Sequence, residues 1–265
     1  DPRNDEVDIL QWQVDYMIEE FDVNIYPTMT ETFIDAPELN GTNPDIANWQ
    51  YVYDDDNLSE DDISDMLFPT NDTGKVMIMV FNIIDENWYD ADVYGSYVAG
   101  YYSPLIRSLY DRNVMHIDCF EWSERIGENG SRPYVYESTF AHEYQHLLHD
   151  EIDGDEDTWV NEGLSMASEF LCGYGIDMMY VTYYLYWPDN SLTVWGDLPG
   201  DLILGDYGAV LMFMTYLYDH YGGKEMLQEI FFDELNGIES IDDALLNMGH
   251  NRINFERVFR DWRMA

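Results

Sequence analysis

Two histidines four residues apart are the first feature of this 265-residue chain that could do chemistry. His142 and His146 stand in the segment STFAHEYQHLLH, and Glu143 follows the first of them directly. Residues four apart share one face of a helix, so both imidazoles could reach a single metal ion. Glu143 could then face a water at the metal and act as a general base without being a ligand.

The composition around this motif makes a chance occurrence improbable. A bare HExxH pattern should arise in only ~1% of chains of this length. The chain has six histidines, and three of them fall between positions 142 and 149. Phe140, Leu147 and Leu148 give the segment an apolar side that could be buried. The pattern therefore predicts a metal-binding helix rather than a surface helix that happens to carry histidines.

A catalytic zinc site needs a third protein ligand and one open position. Glu162, in the segment TWVNEGLSMASEF, is the preferred candidate. Ser165 and Glu169 lie three and seven residues further on, on the same helical face, and could support a histidine from behind. His149 is the alternative ligand, and a site that used all four groups would be closed and structural. The HExxHxxGxxH pattern is absent, because position 149 is His and position 152 is Ile.

These two segments together resemble the gluzincin metallopeptidases. The chain looks most like the hyicolysin-type neutral zinc peptidases and is also similar to the aminopeptidase N family. The specific motifs cover residues 138–170, with a softer match over 206–232 and in the tail FERVFRDW. The resemblance implies a zinc-dependent hydrolase that acts on peptides or proteins. It also implies a catalytic tyrosine at Tyr207, at the opening of a helix that ends in Gly-Gly.

The resemblance further implies an α+β fold with a thermolysin-like, two-lobed catalytic domain. We expect a mixed β-sheet upper lobe with covering helices in residues 1–135 and a helical lower lobe in residues 136–265. The lobes would meet at a cleft near Tyr136. The segment between His146 and Glu162 is shorter than in thermolysin or the aminopeptidases, so the loop that links the two motifs must be tight.

Two rival functions remain open from the sequence. The G-x-M-E-N motif with which aminopeptidases bind a free amine is absent, and this absence favours an endopeptidase. An aminopeptidase of the same fold is the first alternative. A non-catalytic, cation-binding surface protein with a structural zinc is the second, although such a site would have no use for Glu143. A structural metal needs ligands but no general base.

Hydrophobic periodicity predicts the elements that must position these residues. Residues 6–21 and 26–34 read as helices, and residues 75–84, 96–102 and 113–119 read as strands. The strand at 96–102 is the candidate edge strand for pairing with an extended substrate. The residues assigned to that contact are Ser96, Tyr97, Val98, Ala99 and Gly100. Further helices are predicted over residues 136–150, 156–172, 207–221, 224–235 and 254–263.

The charge of the chain limits its partners. With 11 basic and 54 acidic residues the formal net charge is −43, which disfavours nucleic acid and anionic membranes as partners. Such a surface indicates a protein that works in high salt or one that binds cations. The acidic segment 150–157 is either a solvated loop or a calcium site. No apolar stretch is long enough to span a bilayer. Oligomeric state is not encoded in any recognisable pattern.

Two further features bear on the compartment. Four N-x-[ST] sequons, at Asn40, Asn57, Asn71 and Asn129, favour an exported protein, extracellular or on the cell surface. A start without Met fits a processed precursor or a trimmed chain. Two cysteines, Cys119 and Cys172, allow a single disulfide or a pair of buried thiols, and the sequence does not decide between them.

Overall fold

A computed structural model describes residues 9–45, 47–49, 76–197 and 200–265. Within these ranges the fold is α+β: helices predominate around one small sheet. The start of the predicted helix at 6–21, Lys75 at the start of the first predicted strand, and the sequons at Asn57 and Asn71 lie outside the described residues.

The described chain opens with a helical rod. Helix α1 (Gln11–Glu20) continues through a π-helical turn (Phe21–Ile25) into α2 (Tyr26–Thr32). This confirms both predicted helices from Gln11 onward. Leu10 and Val14, at the start of the rod, are 50% and 37% exposed. The buried stripe begins later, at Met17, Phe21, Ile25 and Met29, whose spacing of four residues keeps them on one side of the rod.

The sheet has three strands in the order β1, β3, β2. Strand β1 (Met77–Val80) is parallel to β3 (Val114–Ile117), and β2 (Gly100–Tyr102) is an antiparallel edge strand. The predicted strand at 96–102 is therefore wrong over its first four residues. Val98 donates its backbone N–H to the Asp85 carboxylate at 2.7 Å instead of to a neighbouring strand.

Short helices lie between and after the strands, and in the described residues up to 135 the β character is limited to these three strands of three or four residues. Among the described residues the connections contain α3 (Glu86–Tyr89), α4 (Pro104–Tyr110) and α5 (Trp122–Arg125).

Helices make up most of the chain after residue 135. Helices α6 (Val135–Ile152) and α7 (Thr158–Leu171) carry the two sequence motifs, and both were predicted. Helix α8 (Met178–Tyr186) was not predicted, and a 3-10 turn (Gly200–Leu202) leads into α9 (Ile203–Tyr221), which begins four residues earlier than expected. The chain continues with α10 (Lys224–Phe231), α11 (Ile238–Asn247) and α12 (Phe255–Trp262), of which α11 was not predicted.

Helix α6 lies at the centre of the core. Tyr144, Leu147 and Leu148 are fully buried on it, in a cluster that also includes apolar residues of α7 and α9. On the other side α6 approaches β2 at Gly100, where an added Cβ would lie 2.7 Å from Thr139 Cγ2. Only a residue without a side chain fits there, so Gly100 lets the 96–100 segment approach the helix that carries the histidines.

Three observations concern the compartment and covalent links. No helix in the described ranges is both long enough and apolar enough to cross a membrane. The Cys119 sulfur lies 3.0 Å from Asn82 Oδ1, and Cys172 is a buried thiol. Asn40 and Asn129, the two sequons within the described residues, are exposed.

Candidate metal centre

His142, His146 and Glu162 converge at the contact between α6 and α7. Their ligand atoms all lie within 4.8 Å of one another. Nε2 of His142 is 3.2 Å and Nε2 of His146 is 3.7 Å from the same Glu162 oxygen, Oε2. The linking loop is tight as predicted, since α6 ends at Ile152 and α7 begins at Thr158.

The donor set and its orientation fit zinc. Two imidazole nitrogens and one carboxylate oxygen are a common ligand set of open zinc sites. Glu169 Oε1 lies 3.1 Å from His142 Nδ1, and Asn161 Oδ1 lies 2.9 Å from His146 Nδ1. Such contacts fix the tautomer and leave each Nε2 free to bind a metal. The three side chains could therefore hold one ion without rearranging their supports.

The supporting residues were predicted in part. Glu169 contacts His142, and Ser165 Oγ lies 3.1 Å from His146 Nδ1, as their helical spacing suggested. Asn161 was missed, although it contacts His146 more closely than Ser165 does. A signal was present in the sequence, because Asn161 precedes Ser165 by four residues and so lies on the same face of α7.

His149 is not part of this group. Its ring is buried and stacks on Phe231 of α10, with 4.8 Å between the ring centroids. Burial lowers the pKa of His149 to about 4, so the ring is neutral near neutral pH. Within the described ranges the triad is the one group of three such side chains with converging ligand atoms. The four-ligand alternative that the sequence left open is therefore not formed.

The charges of the three side chains strongly influence one another. Burial disfavours a charged His142, but its contacts with Glu162 and Glu169 outweigh this and raise its pKa well above the ordinary value. Burial also opposes ionisation of Glu162, yet the two histidines lower its pKa to about 2. Glu162 thus stays a carboxylate, the form that a metal requires, and a bound cation would displace protons from the histidines.

Glu143 is buried beside the triad and is not one of its converging ligand groups. Its carboxylate is 6% exposed, lines the neighbouring cleft, and lies near the backbone N–H of Tyr102 in β2. Burial is the largest influence on it and raises its pKa. Glu143 therefore contacts the cleft and lies outside the group of converging ligand atoms.

A cleft of about 280 Å³ opens in front of His142 and Glu143. Its walls come from α6, α7, α8, α9 and the segment before β2. All five residues predicted to contact substrate line it: Ser96, Tyr97, Val98, Ala99 and Gly100. Two of their backbone groups are already used, since Val98 N–H donates to Asp85 and Ala99 C=O accepts from Asp118 at 2.8 Å. Pairing with a substrate would have to use the remaining groups.

Tyr207 also lines this cleft. It lies one turn inside α9 and does not open the helix, because α9 begins at Ile203. Its ring is held between Trp195 and Tyr180, at centroid distances of 4.8 and 5.5 Å, and lies 6.1 Å from the His142 ring. Burial raises the pKa of its phenol well above the ordinary value, so the hydroxyl keeps its proton and can donate it in a hydrogen bond.

Tyr207→Phe removes this donor and little volume. If the phenol stabilises the developing oxyanion, kcat should fall about 10²-fold while KM and zinc content change little. Steady-state kinetics with metal analysis would measure this. Tyr186→Phe, at an exposed position of α8, is the matched control. An unchanged kcat in Tyr207→Phe would leave Tyr207 only a packing role.

The acidic segment 150–157 is partly buried. Glu156 is 8% exposed, and its Oε1 accepts hydrogen bonds from the backbone N–H groups of Asp157 and Gly237, the latter at 2.7 Å. Burial is the largest cause that raises the pKa of Glu156 to about 7. In the described part of the chain these carboxylates do not form a second group comparable to the triad. A calcium site here stays a prediction.

The raised pKa of Glu156 predicts a pH-dependent stability. Protonated Glu156 favours the fold, so its contribution is complete below the ordinary pKa near 4.5 and is lost as the pH rises through about 7. The difference could reach about 3 kcal/mol. Glu156→Gln should therefore flatten the decline of the melting temperature between pH 5 and 8. The exposed Glu256→Gln should keep the wild-type slope, and equal slopes in all three proteins would contradict the assignment.

Comparisons with known proteins agree with a metal-dependent hydrolase. No protein-family model matches the chain. The chain is 29% identical over 210 residues to the neutral metalloprotease ShpI of Staphylococcus hyicus. The aligned region covers 72% of this chain and 46% of that protein. The chain thus spans about half the length of this relative. The similarity supports a relationship to the metallopeptidases.

Proposed function

We propose that this chain is a zinc-dependent peptidase that hydrolyses bonds inside peptides. One observation carries the proposal: His142, His146 and Glu162 converge at the wall of a cleft that Glu143 also lines. A merely structural metal would not need a buried carboxylate next to the ligands and open to a groove. The similarity to a neutral metalloprotease supports the same reaction class.

The roles of the side chains follow from their positions. Zinc, when bound, would supply Lewis-acid polarisation of the scissile carbonyl and a more acidic water. Glu143 accepts the proton of the attacking water and delivers it to the nitrogen of the leaving amine, so the proton balance closes. Tyr207 donates a hydrogen bond to the carbonyl oxygen as negative charge develops on it. Glu169, Asn161 and Ser165 hold the two imidazoles in place.

The cleft favours an endopeptidase over an aminopeptidase. A free amine would need a carboxylate that is available near the metal. Both oxygens of Asp85 already accept backbone N–H groups, from Trp88 and Val98, and Glu169 Oε1 is engaged with His142. Glu86 also lines the cleft, and the described residues show no comparable hydrogen bond to its carboxylate. The segment 96–100 runs along the groove and could guide an extended chain past the metal.

Peptides with blocked ends test this function. The zinc-loaded protein should cleave an internally quenched, N-acetylated peptide as well as its free-amine counterpart, and a chelator should abolish both reactions. Mass spectrometry of the products would locate the bond. Release of single N-terminal residues from the free-amine peptide alone would favour the aminopeptidase. Zinc binding without cleavage of any peptide or of casein would favour the non-catalytic surface protein.

Three finer features belong to the same proposal. A thermolysin-like, two-lobed division between residues 1–135 and 136–265 is supported by the cleft, whose walls come from both sides of that boundary. Calcium in the 150–157 segment would raise the melting temperature at millimolar concentration beyond the effect of sodium at equal ionic strength. The exposed sequons at Asn40 and Asn129 support an extracellular location of the protein.

A further inference from the structure

The cleft at the metal centre continues into a second section. This section has a volume of about 180 Å³. Thr139, Glu169, Tyr180 and three residues of the neighbouring segment, Ser96, Tyr97 and Ala99, line both sections, so the two form one groove. The second section extends away from the triad, between the start of α6 and the start of α8.

Arg132 carries the one fixed positive charge among the residues that line the two sections. The chain has 11 basic and 54 acidic residues, so the general field of the protein repels anions. A guanidinium in the groove is a local exception to that field. Tyr97, Tyr180 and Tyr183 stand around it as aromatic walls.

The guanidinium keeps hydrogen-bond donors for a ligand. Its Nη2 is 3.9 Å from Asp177 Oδ2, which is too far for a hydrogen bond, and 3.7 Å from the sulfur of Met179. The structure records no other hydrogen bond of this side chain within the described ranges. Arg107 offers a contrast, because its two terminal nitrogens already bind Asp150 and Glu151. Asp177 therefore steadies Arg132 without saturating its five donors.

The distance from the metal ligands suits a neighbouring residue of the substrate. Thr139 lines both sections, and His142 follows it by three residues on α6. Val135 and Ser138, about one turn of ~5.4 Å before these, line the second section only. An extended peptide advances ~3.3 Å per residue. A side chain one to three positions from the scissile bond could therefore enter the section that Arg132 lines.

We propose that this second section is a carboxylate-binding subsite and that Arg132 determines its specificity. It would accept the side chain of a substrate Glu or Asp, or the free C-terminal carboxylate of a short peptide. A guanidinium matches a carboxylate with two parallel hydrogen bonds, and the tyrosine rings would pack on the methylene groups. The inference rests on the proposed peptidase function and adds to it a preference for acidic substrates.

Paired peptides test the subsite directly. Internally quenched peptides with blocked ends would carry Glu or Gln at each of three positions on either side of the cleaved bond. At one position kcat/KM should be about tenfold higher for Glu, the lower end for a charged hydrogen bond, because 39% of the Arg132 side chain is exposed. In Arg132→Gln this Glu-to-Gln ratio should fall to about one, and in Arg132→Glu it should fall below one.

A second series separates the two carboxylate sources. Neutral peptides that end at the same position with a free or an amidated C-terminus would show a tenfold preference for the free acid if the terminal carboxylate is the ligand. Arg260→Gln, an equal charge change on the exposed face of α12, is the matched control and should keep the wild-type ratios. Arg132→Lys should retain part of the preference, because the charge remains and the fork geometry is lost.

Three outcomes would overturn the inference. Wild-type protein that cleaves Glu and Gln peptides equally at every position, and free and amidated ones equally, has no carboxylate subsite. A preference that survives in Arg132→Gln belongs to another residue. If no peptide is cleaved, the proposed peptidase function fails, and fluorescence anisotropy with the same peptides still tests Arg132. Equal affinity of the zinc-loaded wild type for Glu and Gln peptides would then reject the subsite.

Discussion

Glu143→Gln should lower kcat by about 10²- to 10⁴-fold while the protein keeps its zinc, because the general base is lost but no ligand is. Gln has nearly the same shape and can still occupy the buried position near Tyr102. It cannot accept a proton from water at neutral pH. Single-turnover kinetics together with metal analysis by mass spectrometry would measure both quantities in one preparation.

A matched variant controls for the loss of a buried carboxylate in this helix. Glu137 is also buried on α6, where it accepts hydrogen bonds from Tyr16 at 2.8 Å and from the Gly127 backbone, and it does not line the cleft. Glu137→Gln can lower stability but should leave turnover per folded molecule nearly unchanged. Loss of zinc in Glu143→Gln, or equal losses of turnover in both variants, would contradict the role of Glu143.

Glu162→Ala should instead remove the metal. The carboxylate offers the one oxygen that both Nε2 atoms approach, so its loss leaves two ligands where zinc sites use three or more. We expect the zinc affinity to fall by at least ~100-fold, more than the loss of a supporting residue would cause. Competition with a chromophoric chelator at fixed pH would measure the dissociation constant.

Variants of the supporting residues give the comparison. Glu169→Gln removes the negative charge that supports His142, and Asn161→Ala removes the hydrogen bond to His146. Each change should weaken zinc binding by ~10-fold. His149→Phe should weaken zinc binding less than either, since its ring stacks on Phe231 and reaches the triad only through Asn161 Oδ1, at 3.3 Å. Full zinc occupancy in Glu162→Ala combined with loss of zinc in His149→Phe would make His149 the third ligand.

The sequence determined the parts of this centre that lie within one helix. His142 and His146 are four residues apart, and Glu162 and Glu169 are seven apart, so helical periodicity alone places each pair on a common face. The long helices around them followed from the same local periodicity, and α6 and α7 lie where they were predicted. The shortness of the loop between them was also readable, because it depends only on the number of residues.

Tertiary packing decided which groups meet. His149 lies seven residues after His142, on the same face of α6, so spacing could not exclude it as a ligand. It is excluded because α10 brings Phe231 against its ring, while the return of α7 brings Glu162 to the two histidines. The start of α9 was also not predictable from local spacing. The 3-10 turn at Gly200–Leu202 leads into α9 at Ile203, which places Tyr207 one turn inside the helix.

The groove itself is the part that no local pattern encodes. The 96–99 segment is not a strand: the Asp85 carboxylate accepts the Val98 N–H, and the Ala99 C=O accepts the backbone N–H of Asp118. Arg132 lies ten residues before His142, and no sequence motif marked it as a binding residue. Its position beside Tyr97 and Tyr180 arises only when α6, α8 and the segment before β2 pack together. Contacts between residues distant in sequence depend on the arrangement of whole elements, which helical and strand periodicity do not specify.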